Sequence, residues 1–263
     1  MGEAAAFVEL DGVRIRYELI GDPGLPVLVM SHSLGVDLAM WEPQMAALAS
    51  HVRVLRYDTR GHGGSSIPDG PYTAADLGSD VVGLLDVLGI GKASFCGLSM
   101  GGVIGQWLGI NAQDRIEKLV LADTAAKIGT DEGWNTRIAT VRREGLDSVI
   151  PGTLERWFTA PFRAAQPETI ARTAASLRAT SVEGFMACCA AIRDADFRGS
   201  IAQIRVPTLV ITGSDDPGTP PADGQFLADS IAGSRYVEVP AAHLSNVEAA
   251  GEFNEALLEF LRA

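Results

Sequence analysis

Cysteine is scarce in this chain, and so are the patterns that mark several functional classes. Only Cys96, Cys188 and Cys189 occur among 263 residues, and no C-x-x-C spacing indicates a zinc or dithiol redox site. An odd count with two adjacent cysteines does not favour a disulfide framework, so we expect a reduced, cytoplasmic protein. No apolar run approaches the roughly 18 residues of a membrane span. No signal-peptide pattern opens the chain, so we expect neither a leader nor a membrane anchor.

Basic residues are also few relative to acidic residues. The chain has 21 Lys and Arg against 33 Asp and Glu, a net charge of −12, so a nucleic-acid partner, which needs a basic face, is not expected. Hydrophobic residues make up 47% and charged residues 21%, as is usual for globular proteins. The length fits one large α/β domain or a domain with an insertion. No metal-ligand cluster is found, and we expect no metal or organic cofactor.

Short β-branched runs alternate with helical patterns, which predicts a parallel sheet flanked by helices. Residues 27–30, 118–122 and 208–211 are almost continuously apolar, as central strands are when both faces of a sheet are covered. Further strands are predicted at residues 13–19, 52–57, 93–96 and 236–239, the first of them near an edge of the sheet. Residues 126–198 contain only helical patterns. We predict a core of residues 1–125 and 199–263 with a helical cap at 126–198.

The most informative local motif is Gly97-Leu98-Ser99-Met100-Gly101, which lies between a predicted strand and a helical run. A serine in such a tight strand–turn–helix is held in a strained conformation with its hydroxyl exposed. Glycines two residues before and after leave the room that the turn needs. Ser99 is therefore the predicted nucleophile, and it requires a neighbouring base.

Four histidines are available as that base. His51 follows a helical run in a polar loop, His62 lies in a turn where backbone hydrogen bonds are the usual role, and His32 directly follows a strand where an oxyanion loop is expected. His243 remains, just after the last predicted strand, and the carboxyl ends of strands are where open α/β sheets bind ligands. We predict His243 as the base.

A carboxylate between the serine and the histidine should orient the base, and it should follow a strand. Asp215 and Asp216 both satisfy this, and spacing alone does not choose between them. The oxyanion of a tetrahedral intermediate needs two backbone donors. We assign these to the N–H of Met100, which follows the nucleophile, and to the loop of residues 32–35, with Leu34 preferred.

With these residues placed, the chain resembles the α/β-hydrolase superfamily over nearly its whole length. The turn Asp58-x-Arg60-Gly61-His62-Gly63-x-Ser65 and the Gly213-x-x-Asp216 pattern match that superfamily, and the latter favours Asp216 as the acid. More narrowly, the chain resembles the 3-oxoadipate enol-lactonases of bacterial aromatic catabolism. The matching segments are residues 31–35, 133–137, 154–158 and 242–246. Ser33 replaces the glycine that is usual in the wider superfamily.

The resemblance implies the fold, the activity and the substrate. The fold would be a mostly parallel eight-stranded sheet with a helical cap, and the reaction would be hydrolysis of 3-oxoadipate enol-lactone through an acyl-enzyme, without a cofactor. The substrate, a small anionic lactone, requires local positive charge. Residues 126–198 carry a net charge of +1, against −13 for the rest of the chain.

Within the cap, Arg137 is the predicted partner of the substrate carboxylate, since a guanidinium can bind both oxygens. Trp134, one helical turn earlier, would form a wall of the pocket, and Ser33 is also predicted to contact the substrate. The alternative is that Arg137 is a solvated surface charge and Trp134 belongs to the interior of the cap.

The same fold also carries other functions. A carboxylesterase, a perhydrolase or a carbon–carbon bond hydrolase would use the same three residues, so only the cap and a substrate panel distinguish them. Dehalogenases and epoxide hydrolases use an aspartate nucleophile, where this chain has Ser99. A hormone-receptor-like binding protein would show ligand-induced change in the cap without repeated turnover.

Overall fold

A twisted sheet of eight strands runs through the computed structural model, which describes residues 6–263. The strands are β1 (Ala6–Leu10), β2 (Val13–Ile20), β3 (Val27–Ser31), β4 (Arg53–Tyr57), β5 (Ala93–Leu98), β6 (Ile116–Ala122), β7 (Thr208–Gly213) and β8 (Arg235–Val239). Their order across the sheet is β1-β2-β4-β3-β5-β6-β7-β8. Strand β2 pairs antiparallel with both β1 and β4, and the remaining pairs are parallel. The predicted mostly parallel, eight-stranded sheet is confirmed.

Eleven α-helices occur within residues 6–263. The helices are α1 (Glu42–Leu48), α2 (Ala74–Val87), α3 (Met100–Asn111), α4 (Asp131–Glu144), α5 (Ile150–Trp157), α6 (Ala160–Ala165), α7 (Pro167–Ala179), α8 (Val182–Asp194), α9 (Pro221–Ser230), α10 (Ser245–Glu248) and α11 (Ala250–Arg262). Successive residues of the central strands point into two different hydrophobic clusters. Val29 belongs to the cluster that includes α2 and α3, while Leu28 and Met30 belong to the cluster that includes α1 and α11. Both faces of the sheet are therefore covered, as the continuous apolar runs predict.

Strand β1 is the element that the sequence pattern does not reveal. Only Val8 of its five residues is buried, and the ring of Phe7 is 46% exposed. An edge strand that buries one side chain has no regular alternation of apolar and polar residues. Its neighbour β2, in contrast, lies near the edge of the sheet as predicted.

Helices α4 to α8 lie between β6 and β7, within the segment predicted to form a cap. The N–H of Phe197 donates to the carbonyl of Ala126 at 2.8 Å, which joins the two ends of that segment. On this basis we propose a helical cap, with limits near 126 and 198, on a core of residues 6–125 and 199–263. Residues 1–5 of the predicted core lie outside the described residues. The hydroxyl of Thr180 ties this cap to the core by donating to the carbonyl of Gly35 at 2.8 Å.

Two glycines, Gly61 of the core and Gly184 of the cap, bring the two backbones into close contact. A Cβ on Gly184 of α8 would lie 2.2 Å from the carbonyl oxygen of Gly61, and a Cβ on Gly61 would lie 2.7 Å from the Cα of Gly184. Gly61 also has a φ of +80°, which side chains rarely adopt. The two backbones can touch only because neither residue has a side chain.

We expect Gly184→Ala to destabilise the protein. The added methyl group forces α8 away from residue 61, and overpacking of this kind costs about 1–3 kcal/mol. Gly251→Ala in α11 is the matched control, because its Cβ meets nothing within 4 Å and alanine gains up to about 0.5–1 kcal/mol over glycine in a helix. Urea unfolding midpoints measure both. A Gly184→Ala protein as stable as the Gly251→Ala protein would contradict the close contact.

Candidate active site

Ser99 occupies the turn between β5 and α3 with a φ of 58°, a conformation that is uncommon outside glycine. The tightness of this turn explains its flanking glycines. A Cβ on Gly97 would lie 2.0 Å from the carbonyl oxygen of Gly101, and a Cβ on Gly101 would lie 2.1 Å from that of Ser31. The Ser99 N–H donates to the carbonyl of Ala122 at 2.9 Å, which fixes the turn to the end of β6.

Three of the predicted residues form a chain of hydrogen bonds. The Oγ of Ser99 lies 2.8 Å from the Nε2 of His243, and the Nδ1 of His243 lies 2.7 Å from Oδ2 of Asp216. Asp216 also accepts hydrogen bonds from the hydroxyl of Thr219 at 2.6 Å and from the N–H of Gly218 at 2.7 Å. The structure thus brings together Ser99, His243 and Asp216, which are distant in the sequence.

Asp215 has a different environment. It is exposed, and its carboxylate accepts a hydrogen bond from the neighbouring hydroxyl of Ser214 at 3.1 Å. Of the two aspartates that spacing left open, only Asp216, which the resemblance favours, is hydrogen-bonded to the imidazole of His243.

Asp216 and His243 each shift the pKa of the other in the direction that favours its charged form. Burial alone would raise the pKa of Asp216, but the charge of His243 and the hydrogen bonds from His243 and Thr219 lower it below its usual value. Burial alone would lower the pKa of His243, but the charge of Asp216 and its hydrogen bond raise it. Since an ionised carboxylate only accepts, the Nδ1 of His243 carries the proton. The Nε2 is then free to accept the proton of Ser99.

His32 and His62 form hydrogen bonds that connect the loop of residues 32–35 to the turn of residues 58–65. The Nε2 of His62 accepts the N–H of Gly35 at 2.8 Å, and the Nε2 of His32 accepts the N–H of Thr59 at 3.0 Å. An imidazole that accepts at Nε2 is neutral. Consistent with this, burial lowers the pKa of both residues, that of His62 to about 3. Both therefore hold the loop in place as neutral acceptors, and His51 bonds to Arg262 at the surface.

The N–H groups of Leu34 and Met100 have no acceptor within residues 6–263. Met100 is the first residue of α3, where the helix dipole favours negative charge. Leu34 lies beside Ser33, whose buried hydroxyl is likewise without a partner in the described part of the chain. Unused donors at this place are compatible with the predicted oxyanion site.

A cavity of about 160 Å³ opens at Ser99 and His243. The core contributes Ser33 and Leu34 to its wall, and the cap contributes Trp134, Arg137, Arg156 and Trp157. The indole N–H of Trp134 donates to the carbonyl of Ile128 at 2.7 Å, which fixes the ring. Trp134 therefore lines the cavity as well as packing within the cap.

The two arginines of the cavity share one neutral acceptor. Arg137 and Arg156 donate to the hydroxyl of Thr153 at 2.9 Å and 3.3 Å. Neither forms a salt bridge with a carboxylate within residues 6–263, and the buried Nε of Arg137 has no partner there. Burial lowers the pKa of Arg137, and the charge of Arg156 acts in the same direction. The cavity thus has two cations and no anion, and Arg137 is not a solvated surface charge.

Arg156 and Trp157 are two cavity residues to which the sequence analysis assigned no role. Both lie in residues 154–158, a segment used above only as a mark of resemblance. The ring of Trp157 stacks on that of His243 with centroids 6.4 Å apart. Arg156 could have been identified from the sequence as a basic residue of this segment, since the cap has a net charge of +1 against −13 for the rest of the chain.

Two further observations concern other kinds of site. Among residues 6–263, no group of three or more His, Cys, Asp or Glu side chains is arranged to hold a metal ion. No helix in this part of the chain has both the length and the apolar character needed to cross a bilayer.

The chain is similar to several known proteins. A family model described as alpha/beta hydrolase fold matches residues 26–250. Two 3-oxoadipate enol-lactonases of Acinetobacter baylyi are 44% and 40% identical, covering 93% and 96% of this chain and 92% and 94% of the relatives. The crystal structure of the enol-lactonase from Burkholderia xenovorans LB400 has a TM-score of 0.97 and 45% identity, covering 98% of this chain and 100% of that chain. These matches extend over nearly the whole length, and the chain therefore belongs to the alpha/beta hydrolase fold family.

Proposed function

We propose that the protein is a serine hydrolase that converts 3-oxoadipate enol-lactone to 3-oxoadipate in the degradation of aromatic compounds. The observation that carries this proposal is the position of the Ser99–His243–Asp216 chain at a cavity with two unpaired arginines. The serine and histidine supply acyl-transfer chemistry, and the arginines supply recognition of an anion. The relatives named enol-lactonases support the same substrate.

The first half of the reaction opens the ring. Ser99 Oγ attacks the lactone carbonyl while His243 Nε2 takes its proton, and the N–H groups of Leu34 and Met100 stabilise the oxyanion. Collapse of the tetrahedral intermediate breaks the bond to the ring oxygen, and His243 returns the proton to the leaving enolate. The enol then becomes a ketone, which makes ring opening favourable. Because the leaving group is part of the ring, the acyl-enzyme retains every atom of the substrate.

The second half releases the product. Water attacks the acyl carbonyl while His243 takes one of its protons, and the same backbone donors stabilise the second oxyanion. Collapse breaks the ester bond to Ser99, and the serine recovers its proton from His243. The charge of Asp216 stabilises the imidazolium in both halves.

The carboxylate of the substrate would bind the arginines. A carboxylate placed at Arg137 gives its unpartnered Nε an acceptor and offsets the repulsion between Arg137 and Arg156. Trp134, whose ring centroid is 5.8 Å from the guanidinium carbon of Arg137, holds that guanidinium in place.

The three cysteines are buried and unpaired, which suits a reducing compartment, and we propose a cytoplasmic location.

The proposal is tested by comparing kcat/KM for freshly generated enol-lactone with that for neutral aryl esters of similar size. We expect the anionic lactone to be the better substrate by at least about tenfold, because a charged hydrogen bond contributes about 1.5–3 kcal/mol. A preference for neutral esters, with no turnover of the lactone, would favour a carboxylesterase and remove the proposed substrate. Ligand-induced change in the cap without repeated turnover would favour a binding protein.

Arg137→Ala should raise KM for the lactone about 10- to 100-fold, since the carboxylate loses a charged donor. KM for a neutral aryl ester should change little. Arg142→Ala is the matched control, because Arg142 is on the same helix but is exposed and outside the cavity. Steady-state kinetics on both substrates measure the difference. Equal losses on lactone and ester would indicate damage to the cap and would contradict a carboxylate site at Arg137.

A further inference from the structure

Asp123 is a buried acid to which the reaction above assigns no role. It directly follows β6, is fully buried and has a φ of 43°. Aspartate visits this left-handed region more readily than most residues, yet the conformation still needs support from its surroundings. An ionisable group in such a place is costly unless it is well hydrogen-bonded.

The hydrogen bonds of Asp123 reach two other segments of the site. Its Oδ1 accepts the N–H of Gly213 at 2.7 Å, and its Oδ2 accepts the hydroxyl of Ser245. Gly213 ends β7, three residues before Asp216, and Ser245 follows His243 by two residues. One carboxylate therefore connects the segment that carries the acid with the segment that carries the base.

The nucleophile turn is attached to the same place. The carbonyl of Ala122, the residue before Asp123, accepts the Ser99 N–H, and the hydroxyl of Thr124, the residue after it, donates to the carbonyl of Ser99 at 3.0 Å. The segments that carry Asp216 and His243 are thus hydrogen-bonded to Asp123 itself, and Ser99 is hydrogen-bonded to the two residues that flank Asp123.

We propose that Asp123 is a positioning residue that holds the segments of Asp216 and His243 together and, when it is ionised, places a second negative charge near the imidazole. The proposal rests on the assignment of Ser99, His243 and Asp216 as the catalytic residues. It concerns the base and is independent of which ester or lactone is the substrate.

The charged surroundings agree with this role. Burial, together with the charge of Asp216, raises the pKa of Asp123 to about 7, while His243 and the two hydrogen bonds act in the opposite direction. The charge of Asp123 in turn helps Asp216 to raise the pKa of His243, and Arg156 on α5 opposes them. The remaining titratable neighbour is the thiol of Cys96 on β5, which is neutral because burial raises its pKa far above the usual range.

The sign of the expected pH effect follows. Only neutral imidazole acts as base, so kcat/KM rises with pH as His243 loses its proton at its raised pKa. Because the pKa of Asp123 is about 7, its carboxyl is ionised on the upper part of this rise, where its charge keeps the proton on His243 to higher pH. Replacing Asp123 by asparagine removes that negative charge and keeps a side chain of the same shape. The pKa of His243 then falls, and the acidic limb of the pH profile moves to lower pH with it.

The test is an NMR titration of His243 in protein labelled at its histidines, which needs no substrate. In Asp123→Asn we expect the pKa of His243 to fall by about one unit, the usual effect of a nearby charge, and the acidic limb of kcat/KM to follow it. Asp215→Asn is the control, because it removes the same charge from an exposed position in the turn before Asp216. A His243 pKa that is the same in both variants would overturn the proposal.

Ser245→Ala tests the hydrogen bond separately and applies if Asp123→Asn does not fold. It keeps both carboxylates but cuts the link from Asp123 to the base segment. We expect kcat on an aryl ester to fall about tenfold with little change in KM, because a misplaced catalytic group loses rate rather than binding. A wild-type kcat in this variant would overturn the positioning role. If the wild-type protein hydrolyses the aryl ester but not the lactone, the proposed substrate is wrong, and the effect of Ser245→Ala on the ester still tests the positioning role.

Discussion

The parallel register of strands β3 to β8 is the constraint on which the site depends. Hydrogen bonding pairs Ser31 with Gly97, Leu98 with Ala122, Ala122 with Ile211, and Gly213 with Val239, so that these strands end at one edge. The loop of residues 32–35 and Ser99, Asp123, Asp216 and His243 all follow those ends. A slip in register would move the segment after one strand relative to its neighbours and break the chain of hydrogen bonds that starts at Ser99.

Features that depend on local sequence could be predicted. Gly97 is required by a contact within the turn, since a Cβ there would meet the carbonyl of Gly101, whereas Gly101 is required by its contact with Ser31 at the end of β3. The spacing of the two glycines around Ser99 is nevertheless local, so it indicates the motif. The apolar central strands are equally visible, because burial on both faces dictates each residue type. The edge strand β1 buries too little to leave a pattern.

Features that depend on contacts between distant segments could not be predicted. Asp215 and Asp216 are adjacent and alike, so spacing does not distinguish them. The resemblance favours Asp216, but the physical reason is the position of His243, which the sequence does not reveal. The role proposed for Arg156 depends on Arg137 of α4, because both arginines donate to the hydroxyl of Thr153, which lies one turn before Arg156 on α5. Asp123 follows a strand just as Asp216 does, but its partners Gly213 and Ser245 are about ninety or more residues away.

Two sets of groups at the site, the arginines and the backbone donors, have few protein partners. Arg137 and Arg156 have only a shared hydroxyl between them, and the donors at Leu34 and Met100 have no acceptor within residues 6–263. Cations without an anion and donors without an acceptor reduce the stability of the free protein. In the proposed function, a lactone with a carboxylate at one end and a developing oxyanion at the other would supply an acceptor to both groups.

The central claim is that Ser99 forms the acyl-enzyme, and the kcat of Ser99→Ala on the enol-lactone tests it most directly. The substitution removes only a hydroxyl, so the urea unfolding midpoint should stay near that of the wild type. We predict a fall in kcat of about 10⁴-fold or more, the size seen when a serine nucleophile is removed. Retention of even about a tenth of the wild-type kcat would contradict the account, since loss of a nucleophile normally costs orders of magnitude.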